Sequence, residues 1–200
     1  MLAAELANRE LGEDPIVLAL PRGGVAIGFE VAQRLKAPLD IVVVRKLGVP
    51  WQPELAMGAL AGATRILDHQ LLAQFGISDA DVEAVVAKET REMERRQQLY
   101  RGNRPAPSLR GRSVILVDDG LATGSTMLAA VRHVRAAQPE KIVVAVPVAS
   151  TQACSRFRKE ADECICLATP EPFFAVGEWY EDFRQVSDAE VEEILRHQAT

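Results

Sequence analysis

The stretch VILVDDGLATGST, residues 114–126, joins a run of apolar residues to two adjacent aspartates and then to small and hydroxyl residues. The run VILV predicts a buried strand. Ligands of a parallel sheet bind beyond the carboxyl ends of its strands, which is where Asp118 and Asp119 would lie. Adjacent carboxylates repel each other, and vicinal hydroxyls that donate to both would relieve that repulsion. The stretch therefore predicts a site for a diol.

The residues after the aspartates are suited to binding a phosphate. Gly120 and Gly124 permit a tight turn that exposes consecutive N–H groups, and a helix beginning near Gly124 would add the partial positive charge of its N-terminus. The Gly-Lys-Ser/Thr ending of a Walker loop is absent from the sequence. A diol site beside a monophosphate cradle predicts a ribose 5-phosphate site. The predicted cradle consists of Gly120, Ala122, Thr123, Gly124, Ser125 and Thr126.

Apolar runs and helix-like segments alternate on both sides of this stretch, which predicts an α/β fold with a mostly parallel sheet flanked by helices. Unbroken Val/Ile runs are typical of strands that are buried on both faces. We expect a single domain over residues 1–200, with its core at about 12–47 and 112–168. The predicted strands are 15–21, 39–47, 112–119, 141–150 and 163–168, and the predicted helices are 23–36, 124–138 and 151–161.

Two segments depart from this alternation. Residues 48–111, the insert, contain a possible hairpin (AMGALAGATRILD) and a helix that Ser78 could cap. Residues 169–200, the hood segment, concentrate aromatic side chains in a chain with 5% of them, and end in a helix for which Ser187 and Glu190 have capping-box spacing. One side of the insert helix carries the apolar residues Val82, Val85, Val86 and Met93.

The composition is that of an ordinary soluble globular protein, with 200 residues, 48% hydrophobic and 26% charged side chains. A net charge of −5 gives no general attraction to nucleic acid or to an anionic membrane. No apolar run approaches the ~18 residues of a membrane span, and the N-terminus lacks the apolar region of a secretory signal. We therefore expect a cytoplasmic protein with neither a membrane nor a nucleic-acid partner.

The chain has three cysteines, Cys154, Cys164 and Cys166, which we expect to be reduced thiols in that compartment. Cys164 and Cys166 are two residues apart, so their side chains would share a face of a strand. Packing is favoured over metal binding for these residues, because no second Cys or His cluster lies nearby in the sequence.

The stretch at 114–126 resembles the phosphoribosyl-pyrophosphate fingerprint of the type I phosphoribosyltransferases, in which apolar residues, two acidic residues and a small, hydroxyl-rich loop follow one another. The resemblance implies that Asp118 and Asp119 are catalytic residues that hold the ribose hydroxyls, and that the cradle holds the 5-phosphate. It also implies Mg²⁺, held mainly by substrate and water oxygens, with the two aspartates as candidate protein ligands. The alternative, a receiver-like phospho-acceptor, would need a further Asp and a Lys on later strands, and we find neither in the sequence.

The segment PRGG, residues 21–24, follows the first predicted strand. It resembles the short pyrophosphate loop of the family, in which a tight turn, often with an unusual peptide bond, points backbone N–H groups at the pyrophosphate. The resemblance implies pyrophosphate binding by Arg22, Gly23 and Gly24.

The segment VVVRKLGVP, residues 42–50, follows in the second predicted strand. It resembles a segment of the adenine phosphoribosyltransferases in which a basic residue reaches the pyrophosphate. The resemblance implies this role for Arg45 or Lys46, and the alternative is that both are surface charges beside a strand.

The insert has the position of the family's flexible loop, which closes over the reacting centre. The stretch FFAVGEWYED in the hood segment loosely resembles the base-recognition stretch of the 6-oxopurine phosphoribosyltransferases. That resemblance implies stacking of Phe174 on a base, beside Val176, with Glu181 or Asp182 near it. The Lys that reads the purine oxo group has no evident counterpart in VAVPVAS. The alternative is that Trp179, Tyr180 and Phe183 pack against the core.

Together these segments predict a Mg²⁺-dependent phosphoribosyltransferase, expected as a homodimer, that transfers the 5-phosphoribosyl group of phosphoribosyl pyrophosphate to a nucleobase-like acceptor and releases pyrophosphate. One alternative is a non-catalytic regulator that keeps the fold and senses the sugar pyrophosphate, with a nucleic-acid face that could begin only at REMERRQQLYRGNR, residues 91–104. Another is a phosphoribosyl-pyrophosphate-binding partner of a second enzyme.

Overall fold

The computed structural model describes residues 1–197. In chain order the elements are α1 (Leu2–Ala7), β1 (Ile16–Ala19), α2 (Gly23–Leu35), β2 (Leu39–Ile41), β3 (Val44–Val49), β4 (Gln52–Ala61), β5 (Thr64–Leu67), α3 (His69–Phe75), α4 (Asp79–Arg101), β6 (Ser113–Val117), α5 (Ser125–Ala136), β7 (Lys141–Val148), α6 (Thr151–Glu160), β8 (Glu163–Ala168) and α7 (Asp188–His197). Five strands form a parallel sheet in the order β2-β1-β6-β7-β8, and three strands form a second, antiparallel sheet in the order β3-β4-β5.

The parallel sheet has a hydrophobic core on each face. Alternate residues of β6 point to opposite cores: Ile115 packs in one, and Val114 and Leu116 pack in the other. All residues of β1 and β6 are buried, which explains the unbroken apolar runs of β1 and of β6 after Ser113. The prediction of a mostly parallel sheet flanked by helices is confirmed.

The prediction of one strand over residues 39–47 is wrong. The segment divides into β2, which pairs with β1, and β3, which pairs antiparallel with β4. Val42 and Val43, between the two strands, are buried in opposite cores. At the break, the Arg101 Nη2 group donates to the main-chain carbonyl of Ile41 at 3.1 Å. The chain therefore changes sheets without any polar residue in the valine run to signal it.

The hairpin predicted in the insert is present as β4 and β5, and Gly62 takes a φ of +55° at its turn. Ser78 caps α4, because its hydroxyl accepts from the Asp81 N–H at 3.2 Å. Val82 and Met93 of α4 are buried in the core that also contains Ile115. Both the hairpin and α4 are thus packed parts of the domain.

The hood segment has little regular structure before α7. A 3-10 turn covers Val176–Trp179, and α7 packs against α2 and α4. The predicted capping box of Ser187 and Glu190 is present, with the Ser187 N–H donating to Glu190 Oε2 at 2.7 Å. Residues 198–200 of the predicted hood lie outside the described residues. None of the helices within residues 1–197 has the length and apolar character needed to cross a membrane.

Candidate functional site

The acidic pair, Asp118 and Asp119, directly follows β6, and the PRGG turn at residues 21–24 lies against it. A Cβ atom on Gly23 would overlap Oδ2 of Asp119, and one on Gly24 would lie 2.7 Å from the Val117 carbonyl oxygen. Only glycine lets the two backbones approach so closely. The Pro21–Arg22 peptide bond is cis, an unusual peptide bond of the kind that the resemblance of PRGG implied. Two segments that were predicted separately therefore form one site.

Burial controls the electrostatics of the acidic pair. It raises the pKa of Asp118 well above its usual range, and the charge of Asp119 raises it further. Burial also raises the pKa of Asp119. The Asp119 N–H donates to Asp118 Oδ1 at 2.9 Å, which partly offsets these effects. The pair is therefore short of positive or hydrogen-bond-donating partners, which a cation or a diol would supply.

The predicted phosphate cradle connects the acidic pair to α5. Gly124 is the N-cap of α5 and has a φ of +73°; as a glycine it has no side chain to accept from the first N–H groups of the helix. The hydroxyls of Thr123 and Ser125 are 3.3 Å apart beside that helix end. Ala122 and Thr123 are exposed. N–H groups, hydroxyls and the helix dipole can therefore meet an anion here.

Two contacts hold the cradle on the sheet. The Ser150 hydroxyl donates to the Ala122 carbonyl at 2.8 Å, and the Leu121 N–H donates to the Val148 carbonyl at 3.0 Å. A Cβ atom at Gly124 would overlap the ring of Phe157, which is fully buried under the loop. The cradle is thus fixed both by hydrogen bonds and by the core beneath it.

The basic residues Arg45 and Lys46 lie on β3, in the second sheet. Arg45 Nη2 is 2.7 Å from Glu89 Oε2 of α4, and both side chains are largely buried. Lys46 is exposed. Both residues line a cavity of about 660 Å³ between β3 and α4 that Pro21 and Thr126 also line. This β3–α4 cavity connects the basic residues to the turn and to the cradle.

Arg22 points toward the hood segment. Its Nη2 group donates to Gln185 Oε1 at 3.3 Å, and Nη1 lies 3.7 Å from Asp188 Oδ1. Asp188 also accepts from the hydroxyl of Tyr100 on α4. The predicted pyrophosphate residue is thus tied to the start of α7 and, through Asp188, to the insert.

The hood segment closes over the other side of the acidic pair. The Tyr180 hydroxyl donates to the main-chain carbonyl of Asp119 at 2.6 Å, and Val176 packs on Gly120, where an added Cβ would lie 2.7 Å from Val176 Cγ1. A cavity of about 550 Å³, the hood cavity, lies between these elements. Its lining includes Arg22, Gly23, Asp119, Tyr180, Asp182, Phe183, Arg184 and Gln185.

The three predicted base-binding residues differ in position. Asp182 lines the hood cavity, and Val176 lies against Gly120 next to the acidic pair. Phe174 has 77% of its surface exposed and is not in the described lining of that cavity. Its stacking role stays a prediction. Three residues that contact predicted site residues were not predicted from the sequence: Tyr180, Gln185 and Glu89. For Tyr180, the concentration of aromatic side chains in the hood segment was the one signal in the sequence.

Comparison with known proteins agrees with this arrangement. The phosphoribosyl transferase domain model matches residues 1–182. The chain belongs to the phosphoribosyl transferase domain family. As a member of that family, it carries its parallel sheet and flanking helices, and the receiver alternative is excluded.

Two curated relatives of this phosphoribosyl transferase domain come from the CDC 1551 and H37Rv strains of Mycobacterium tuberculosis, and their names assign them provisionally as phosphoribosyl transferases. Each is 47% identical over 191 residues, which are 95% of this chain and 43% of the relative. The chain thus spans less than half the length of these relatives. The TT1426 protein of Thermus thermophilus is 44% identical, with a TM-score of 0.82 over 98% of this chain and 93% of that chain.

Proposed function

We propose that this domain transfers the 5-phosphoribosyl group of phosphoribosyl pyrophosphate to a nucleobase-like acceptor. The observation that supports this most is the contact of Gly23 with Asp119, because it joins a turn suited to pyrophosphate to an acidic pair suited to a ribose diol. In the reaction, the bond between the anomeric carbon and a pyrophosphate oxygen breaks, and its electron pair leaves with pyrophosphate. A nitrogen lone pair of the acceptor forms the new bond, and the acceptor's N–H proton passes to solvent.

Each group of site residues would bind a different part of the substrate. Asp118 and Asp119 would accept hydrogen bonds from the ribose hydroxyls, and the cradle, Gly120 to Thr126, would hold the 5-phosphate. The turn with Gly23 and Gly24 would present N–H groups to the pyrophosphate, and Arg45 or Lys46 would neutralise its charge from the β3–α4 cavity. Catalysis would come from placing these groups around the charge that develops in the transition state.

A magnesium ion fits this donor set, because hard cations prefer carboxylate and phosphate oxygens. Burial raises the pKa of both carboxyls, so their ionised forms need a compensating partner, which a cation would supply. Bound Mg²⁺ would neutralise the pyrophosphate and polarise it as a leaving group. Asp118 and Asp119 would orient the ribose hydroxyls and the water molecules around the ion.

The hood cavity is the proposed site of the acceptor. Tyr180 and Phe183, whose ring centroids are 5.2 Å apart, supply an aromatic surface. Asp182 and Arg184 add groups that can accept from or donate to a heterocycle. Both kinds of contact suit a flat, polar-edged base. The cavity opens directly beside Asp119, and therefore beside the proposed position of the ribose.

Charge pairing argues against the nucleic-acid-binding regulator. Arg95 and Arg96 both donate to Glu92, at 2.7 and 2.8 Å, and Arg101 pairs with Asp40. The guanidinium of Arg104 donates to main-chain carbonyls. Four of the five arginines in the stretch 91–104 are therefore engaged in contacts within the fold.

The deciding experiment combines the full chain with Mg²⁺, phosphoribosyl pyrophosphate and a panel of nucleobases, and measures pyrophosphate release. Calorimetry of phosphoribosyl pyrophosphate with Mg²⁺ measures binding separately. Binding with base-dependent release supports the proposal, and an Asp118→Asn, Asp119→Asn double variant is the control that should lose both. Binding without release with any acceptor would support a sensor instead. Light scattering tests the homodimer, which stays a prediction.

A further inference from the structure

All three cysteines of the chain meet at one edge of the parallel sheet. Cys154 lies on α6, and Cys164 and Cys166 lie on β8, the last strand of that sheet. The three Sγ atoms are within 4.8 Å of one another, and those of Cys164 and Cys166 are 3.7 Å apart. A helix and the strand that follows it thus bring their thiols into one thiol cluster, defined here as Cys154, Cys164 and Cys166.

The strand register of β8 accounts for this convergence. Cys164 and Cys166 face the core beneath α6, whereas Ile165 between them packs in the core on the other face of the sheet. Cys154 is buried in the same core as the two strand cysteines and reaches them from the helix packed against β8. The sequence offered a pair of thiols two residues apart; the fold supplies the third.

We propose that the thiol cluster is a binding site for a thiophilic d¹⁰ cation such as Zn²⁺. Three thiolates would bind the ion, and water or an exogenous ligand would take the fourth position of a tetrahedron. With Zn–S bonds of about 2.3 Å, two ligand sulfurs of a tetrahedron are about 3.8 Å apart. The spacing of Cys164 and Cys166 already has this value, and Cys154 needs to approach by at most about an ångström to match it.

The surroundings suit a charged, reachable site. Cys154 is buried, while Cys164 and Cys166 are half-buried, so an ion can enter from the strand side. Arg158, one turn after Cys154 on α6, acts electrostatically on both Cys154 and Cys164. Its positive charge offsets the net negative charge that three thiolates leave around a divalent ion. The site shares no residue with the acidic pair, which follows β6, two strands away in the sheet.

A disulfide between Cys164 and Cys166 is less favourable than metal binding by the same sulfurs. Cys164 and Cys166 are alternate residues of a strand, so their Cα atoms are about 6.6 Å apart at a rise of about 3.3 Å per residue. That separation is near the upper end of the range that a disulfide tolerates. Bridging them would distort β8, whose residues pair with Val144 and Val146 of β7. Metal binding requires no such change in the strand.

The test is a titration of the reduced 200-residue chain with Cd²⁺, which stands in for Zn²⁺ and gives an ultraviolet sulfur-to-metal charge-transfer band. We expect the band to saturate at one equivalent, with release of thiol protons. Zn²⁺ in large excess should compete with Cd²⁺ and weaken the band, because the softer Cd²⁺ binds thiolates more tightly. Cys164→Ser and Cys166→Ser should each weaken binding by at least about tenfold, because each removes a thiolate ligand. Cys154→Ser should weaken binding by a similar factor. If this variant misfolds because Cys154 is buried, the variants at the half-buried Cys164 and Cys166 still test the proposal.

Two controls separate the site from other effects. Leu167→Ala shortens a neighbouring side chain of β8 that packs in the opposite core, so it should lower stability but leave the band unchanged. The Asp118→Asn, Asp119→Asn double variant should also keep it. The absence of a charge-transfer band, an undiminished band in Cys164→Ser and Cys166→Ser, or a disulfide found by mass spectrometry in place of metal binding would each overturn the proposal.

Discussion

The phenol of Tyr180 donates a 2.6 Å hydrogen bond to the main-chain carbonyl of Asp119. Burial and the charge of Asp119 raise the pKa of this phenol, so it stays protonated and remains a donor at neutral pH. A side chain of the irregular hood segment is thus attached to the backbone of the acidic pair. The contact explains how a segment with little secondary structure keeps a fixed position over the site.

Replacing Tyr180 with Phe should loosen this attachment. The variant leaves the Asp119 carbonyl without its donor, at a cost of about 1 kcal/mol, which corresponds to a melting temperature lower by about 2–4 °C for a chain of this size. Binding of an acceptor should weaken more than binding of phosphoribosyl pyrophosphate, because the hood lines the proposed acceptor cavity. Calorimetry and thermal unfolding measure both. Trp179→Phe, at a half-exposed hood position outside the described lining of the hood cavity, is the matched control. An equal effect of that variant would show that the Tyr180 hydroxyl has no special role.

Gly23→Ala should impair ligand binding through Asp119. The added Cβ would overlap the Asp119 carboxylate, so that the side chain or the turn must move, and we expect affinity for phosphoribosyl pyrophosphate to fall by at least about tenfold. Gly28→Ala is the control on the same helix, because its Cβ would meet Ala19 Cβ at 2.8 Å and not the acidic pair. That variant should lose stability and keep affinity. If Gly23→Ala and the wild type had equal affinities, the turn would not be part of the substrate site.

Asp118→Asn should change the pH dependence of stability as well as binding. The raised pKa of Asp118 means that the folded chain holds this proton more tightly than the unfolded chain. The associated stability is therefore fully present below the ordinary carboxyl pKa of 3.8 and is lost as the pH rises toward the raised folded value.

The Asn variant lacks this titration, so at neutral pH its free energy of unfolding should equal or exceed that of the wild type, and the decline from acid to neutral pH should flatten. Its affinity for phosphoribosyl pyrophosphate should fall by at least about tenfold, because charge-assisted hydrogen bonds of about 1.5–3 kcal/mol are lost. Urea unfolding across pH and calorimetry give the two readouts. A variant with unchanged affinity would exclude the aspartate from the diol site, and Asp182→Asn, at an exposed hood position, is the control for the pH profile.

The parts of the fold and of the site that the sequence predicted correctly depend on residues that are close together in the chain. The acidic pair and cradle are contiguous, and the Ser78 cap lies three residues from Asp81, the residue that completes its capping box. The break between β2 and β3 has no such signal, because Val42 and Val43 are equally apolar and only the two cores distinguish them. The partners of Arg45 and Asp119 are 44 and 61 residues away in the chain. Such contacts depend on how helices pack on the sheet, which no short window of sequence encodes.

The cradle is better tested at its hydroxyls than at Gly124. Any side chain at Gly124 would overlap Phe157 and occupy a left-handed φ of +73°. A valine there would therefore destabilise the fold as well as obstruct the phosphate site, and a binding measurement would not distinguish the two effects. Thr123→Ala and Ser125→Ala remove donors from exposed or half-buried positions and should change stability by no more than about 0.5 kcal/mol. Ribose 5-phosphate should raise the melting temperature of the wild type and raise that of the double variant much less. Equal protection of both would locate the phosphate elsewhere.

Hydrogen exchange should show which part of the insert closes over the substrate. In α4, Val82 and Met93 are buried, and Arg45 ties β3 to Glu89 of this helix, so its central amides should be protected in the free chain. The tip that joins β3 to β4 is different, because residues 50–54 are exposed, and weakly packed segments open at little cost. We expect fast exchange at 50–55 that slows when Mg²⁺ and phosphoribosyl pyrophosphate bind, and slows further with an acceptor, since lids of this kind exclude water from the reacting centre. Residues 57–61 of the same strand are largely buried and serve as the internal control. Slow exchange at 50–55 in the free chain, unaffected by ligand, would make the tip part of the scaffold rather than a lid.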